Sequence, residues 1–168
     1  MSDLTNILLT EQLNNFQLQR HDFLNNFQVI KGYLQMDMPQ KALEYLDEVI
    51  LELRTQQEIY KLGQKTLLAI FMSWYFRLRL QGVEMTVSFP PEMKKEEFWQ
   101  GRWQEEYAEE FYGYTRECAD SIPAHEKPEN LLAKITLKTL PAGFECNYQL
   151  VKMEEILLEK IFSTPSLP

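Results

Sequence analysis

Of the two histidines in the 168-residue chain, only His21 has neighbours suited to covalent chemistry. Arg20 precedes it, Asp22 follows it, and Asn25 comes one helical turn later. A neutral imidazole is a nucleophile that takes up and releases an electrophilic group reversibly, provided the group can reach it. The neighbours suggest which group. Arg20 supplies a permanent positive charge, and phosphoryl transfer is stabilised mainly by positioning and electrostatics. Asp22 offers a carboxylate that selects a tautomer by hydrogen-bonding one ring nitrogen. Asn25 can orient a water or an incoming carboxylate. Each residue also has a plain reading: Arg20 lays its stem over an apolar seam, Asp22 is a solvating charge, and Asn25 and Gln28 are polar surface. His125, between Pro123 and Pro128 in IPAHEKPEN, reads as a solvated loop residue.

These residues need a rigid carrier. From Leu4 to Met36 there is no proline and one glycine, and Leu9, Leu13, Phe16, Phe23, Phe27, Ile30 and Leu34 recur at steps of three, four and seven. That spacing predicts a long helix with a coiled-coil-like stripe. His21 falls on the flank of the stripe, open to solvent even with the seam closed. Asn14, Gln17, Leu18, Leu24, Asn25 and Gln28 share its face, which is mostly amide and forms the candidate partner-binding surface. Asp37, Met38 and Pro39 interrupt the pattern, with Asp37 as an expected N-cap for a second helix that runs to Gly63. Two long helices on so short a connection form an antiparallel hairpin. A lone hairpin cannot cover both seams, so a second copy completing a four-helix bundle across a two-fold axis is expected.

Beyond Gly63 the pattern changes. Thr66 to Leu80 reads as a buried helix, Val83 to Phe89 as a strand, and Trp99 to about Ser121 as an amphipathic helix. Leu131 to Leu140 and Phe144 to Val151 read as a hairpin, and Met153 to Phe162 as a closing helix. The fold class is α+β, with a helical module at 1–63 and a small α/β module at 64–168.

A net charge of −8 counts against nucleic acid as a partner. No apolar run suits a membrane span, and the N-terminus lacks signal-peptide order, so a cytoplasmic location is expected. Cys118 and Cys146 read as buried thiols. Glu105, Glu106, Glu109 and Glu110 read as a solvated face opposite an aromatic stripe, without a metal.

The segments RHDFLNNFQVIKGYLQM, Arg20 to Met36, and KALEYLDEVI, Lys41 to Ile50, resemble the helical hairpin of the sporulation initiation phosphotransferase B family and of related sensor histidine kinases. The resemblance implies a homodimer in a sporulation phosphorelay of the two-component type. His21 would take a phosphoryl group from one response regulator's aspartate and give it to another's. It also implies a C-terminal module like the ATPase domain of histidine kinases. A working kinase of that lineage needs an Asn-rich helix for magnesium and glycine-rich loops that let backbone N–H groups approach the nucleotide phosphates. Here the helix reads EEYAEEFYGYTRECAD, and none of the six glycines forms a GxG cluster. The module therefore reads as degenerate, with no autokinase activity and no cofactor in the chain itself, and Mg2+ is expected on the regulator. Two other readings stand beside transfer: a non-catalytic dimeric scaffold or inhibitor that binds regulators or kinases, and a regulator phosphatase using Asp22 and Asn25 to position water.

Overall fold

A long run of good helix formers without proline carries α1 from Asp3 to Gln35 in the computed structural model, which describes residues 3–165. Residues 1–2 and 166–168, the outer ends of the two expected modules, lie outside that range. The chain turns at Asp37, whose φ of +57° lies in the left-handed region that Asp tolerates better than most residues. Asp37 is therefore part of the turn and not the expected N-cap. Helix α2, Pro39–Glu52, starts on a proline whose missing N–H costs nothing in a first turn, with Met38 ahead of it and no side-chain cap.

α2 returns antiparallel to α1, held by Tyr45 donating to Asn26 Oδ1 at 2.8 Å and by the Tyr33 and Tyr45 rings 6.4 Å apart. The second helix is not continuous to Gly63. It breaks at Leu53, and a short α3, Arg54–Ile59, sets off anew. Thr55 Oγ1 donates to Met85 O across the fold at 2.7 Å, and Ile59 enters the core fully buried. That tertiary pull explains why a stripe read as one helix becomes two.

Gly63 closes the hairpin against the second half. Its N–H donates to Met93 O at 2.9 Å, and a Cβ placed there would stand 2.6 Å from the backbone carbon of Lys95. Neither backbone can yield cheaply, so Gly63→Ala is expected to destabilise the protein by about 1–3 kcal/mol, read as a lowered urea midpoint at unchanged slope.

The buried helix α4 covers Lys65–Leu80, with Gln64 Oε1 accepting from the Leu67 N–H at 2.8 Å. β1 (Glu84–Ser88), α5 (Glu96–Trp99), α6 (Glu105–Asp120), β2 (Leu131–Thr139), β3 (Phe144–Lys152) and β4 (Glu155–Thr164) follow. The helix expected from Trp99 onward starts only at Glu105, because Gly101 turns the chain at φ +79° and leaves Trp99 in a separate short helix. The closing helix expected over Met153 to Phe162 is instead strand β4. Met153 and Glu154 make a two-residue turn with positive φ, and β4 pairs antiparallel with β3 over its whole length. Pairing to an open sheet edge outweighs the weak helical spacing of ILLEKIF.

The sheet runs β1-β2-β3-β4, parallel between β1 and β2 and antiparallel thereafter. Alternate residues of β2 and β3 are buried, as a sheet with one covered face requires. Helices α4 and α6 cover that face. Trp74 lies 5.6 Å from the Tyr148 ring and edge-on to Phe111 and Tyr114. Leu4 and Leu8 of α1 join this same core, so the leading helix is anchored in the second half of the chain.

Candidate functional site

Side chains of α1 divide among three directions, because successive residues of a helix project about 100° apart. One direction, through Leu9, Leu13, Phe16 and Phe27, is apolar and uncovered, with Leu13, Phe16 and Phe27 each at least 60% exposed. Leu43, Leu46 and Ile50 of α2 extend the uncovered surface. A second direction packs inward, first through Leu4 and Leu8 in the core and then, from Glu11 to Asp22, through polar residues against α3, α4 and α6. His21 belongs to the third, which faces solvent.

Asn14, Gln17, Leu18, Leu24, Asn25 and Gln28 are all exposed around it, as their spacing requires. Among them Asn25 touches the ring, with Nδ2 3.3 Å from His21 Nδ1. A half-turn of the amide exchanges its nitrogen and oxygen, so Asn25 can donate to a bare Nδ1 or accept from a protonated one. In the second case Nε2 carries the lone pair, and no described residue binds it.

Two of the candidates turn elsewhere. Asp22, adjacent in sequence, projects towards α4, where its Oδ2 lies 2.8 Å from Arg79 Nη2. A carboxylate one residue away faces a different side of the helix from the ring, whereas the amide four residues away shares its face. The tautomer-selecting contact expected of Asp22 is thus made by Asn25. Arg20, four residues after Phe16, is exposed on the line of the apolar stripe. Sequence reasoning missed Arg79, since nothing in TLLAIFMSWYFRLRL shows which residue of α1 the last-turn arginine meets.

His125 is 81% exposed, with Nε2 3.7 Å from Glu126 Oε1, in keeping with a surface residue. Glu105, Glu106, Glu109 and Glu110 are exposed. Cys118 and Cys146 are buried and free, and burial pushes the Cys118 thiol up to about 12 and raises Cys146 as well. Neither is a reactive thiolate at neutral pH. Among the described residues, no helix is long and apolar enough to cross a membrane.

The arrangement defines an α+β chain led by a helical hairpin that presents a solvent-facing imidazole within an amide-rich surface. Residues 3–62 match a family model described as the sensor kinase SpoOB-type alpha-helical domain. The matched span covers α1 to α3, including His21. No curated protein matches the chain.

Proposed function

We propose that the protein is a His-Asp phosphotransferase of a sporulation-type phosphorelay, acting as a homodimer through the hairpin. The observation that carries this reading is the imidazole of His21, exposed on α1 with Nδ1 held by Asn25 and Nε2 unbound. The Nε2 lone pair attacks the phosphorus of a regulator's aspartyl phosphate. The N–P bond forms as the bond from phosphorus to the carboxylate oxygen breaks, and the carboxylate leaves with its electron pair. Nδ1 keeps its proton, donated to Asn25 Oδ1, so the ring that now bears positive charge faces an amide oxygen. A second regulator's aspartate reverses the step. Mg2+ is expected on the regulators, and the C-terminal module supports the hairpin without supplying a nucleotide site.

Mixing the purified chain with an aspartyl-phosphorylated response regulator tests the proposal. The expected result is an acid-labile, base-stable label on the chain, with loss of label from the regulator; release of inorganic phosphate alone would make it a phosphatase, and no change would leave a scaffold. Asn25→Ala is expected to slow single-turnover labelling about three- to tenfold, the equivalent of one hydrogen bond worth about 1 kcal/mol.

A further inference from the structure

Past Leu4 and Leu8, which enter the core, the inward face of α1 turns polar between Glu11 and Asp22, where a helix packed on its own chain is usually apolar. Glu11, Gln12, Gln19 and Asp22 line it, and each meets a named partner. Glu11 Oε1 accepts from Arg77 Nη2 at 3.0 Å and from Tyr112 OH at 2.6 Å, and the Arg77 guanidinium lies over the Tyr112 ring at 5.5 Å. Burial and the bond to Glu11 both hold the Tyr112 hydroxyl protonated, its pKa raised above the ordinary tyrosine value. Gln12 Nε2 donates to Ala69 O and to Ser73 Oγ, both at 3.0 Å. Gln19 bonds Gln56, and Asp22 pairs with Arg79.

Such a seam adds little net stability. Glu11 Oε2, Asn15 Nδ2 and Arg77 Nη1, three buried atoms bonded to no protein group, all lie in it. Glu11 and Arg77 are half-buried and Asp22 and Arg79 more exposed still, and ion pairs so open to water contribute little. Their effect is orientational: hydrogen bonds have one geometry, whereas an apolar stripe slides. The outward surface of α1 needs that restraint. Besides the main stripe it exposes Ile7, Leu18 and Val29, which lie eleven residues apart on the other side of His21. A helix so broadly apolar has no single rotation that a covering partner must choose, and one residue's worth of rotation swings His21 by about 100°.

We infer that the Glu11–Arg77–Tyr112 clasp and the Asp22–Arg79 pair are positioning residues that fix the rotation of α1, so that the second half of the chain holds His21 outward. The consequence for transfer rests on the relay reading; the consequence for the exposure of His21 does not. The test uses the full chain with Glu11→Met, Arg77→Met and Tyr112→Phe together, which keeps the packing and removes the directional bonds. Diethyl pyrocarbonate, which acylates accessible imidazoles, reports the exposure of His21 by mass spectrometry, with exposed His125 as the internal reference. The His21:His125 labelling ratio is expected to fall at least threefold. The kcat for phosphoryl acceptance is expected to fall five- to twentyfold, with thermal stability equal or higher.

An unchanged ratio in a folded variant overturns the inference. A fallen ratio in a protein whose wild type never takes up phosphoryl sinks the relay and leaves the positioning role standing. Should the triple variant fail to fold, Asp22→Arg alone is expected to lower the ratio, and Asp22→Arg with Arg79→Asp to restore it. Failure of the swap to restore it counts equally against the inference.

Discussion

His21→Gln is expected to leave a folded protein of unchanged oligomeric state that takes up no phosphoryl label from a phosphorylated regulator. The structural half of that expectation follows from exposure. His21 makes a single hydrogen bond, to Asn25, and packs against nothing in the core. Exposed substitutions of this kind change stability by about 0.5 kcal/mol or less. Glutamine is as compatible with a helix interior as histidine, and its amide can still bond Asn25. The chemical half follows from what glutamine lacks. Its carboxamide nitrogen has no available lone pair, so no N–P bond forms, and none of the residues around it, Asn14, Gln17, Leu18, Leu24, Asn25 and Gln28, carries a nucleophile. The two halves are read separately, by circular dichroism and light scattering on one side and by label on the other. Label persisting on the variant at the wild-type level would move the acceptor elsewhere in the chain.

How much of this was legible beforehand depended on which forces act locally. The stripe of Leu9, Leu13, Phe16 and Phe27 fixes a helix of more than eight turns because period and propensity agree along its whole length. The hairpin of β2 and β3 was legible for the same reason, through strict alternation bounded by Pro141 and Gly143. β4 was not, since Ile156, Leu157, Leu158, Ile161 and Phe162 suit a helix nearly as well as a strand, and only the vacant edge of β3 decides between them. The break at Leu53 depends on a hydroxyl of Thr55 reaching Met85 thirty residues away. At the site, the exposure of His21 followed from its phase relative to the stripe. The fate of Asp22 did not, because Arg79 comes to it from a helix whose docking no local pattern encodes. The inward face of α1 is the same case: Glu11, Gln12 and Gln19 look like solvated residues until their partners are known.

The apolar stripe carries the second large effect. In the single chain Leu13, Phe16 and Phe27 stand 60%, 63% and 64% exposed, on a helix whose opposite side is already packed. Burying a phenylalanine side chain is worth about 1.5–3 kcal/mol, and a two-fold axis counts each residue twice. Phe16→Glu with Phe27→Glu therefore removes four such contributions, roughly 6–12 kcal/mol, and puts four carboxylates into an apolar seam. That is more than about four orders of magnitude in the dissociation constant. Under the proposed pairing the wild type is expected to run as a dimer by light scattering and the variant as a monomer at the same concentration, and the monomer fold should persist because neither ring belongs to the intrachain core. Leu9→Glu, at the end of the stripe, should weaken association less. If both phenylalanine changes leave the mass of the assembly untouched, the pairing surface lies elsewhere, and α1 then presents its stripe to a different protein. Loss of the dimer with transfer retained would show that each imidazole works within its own chain.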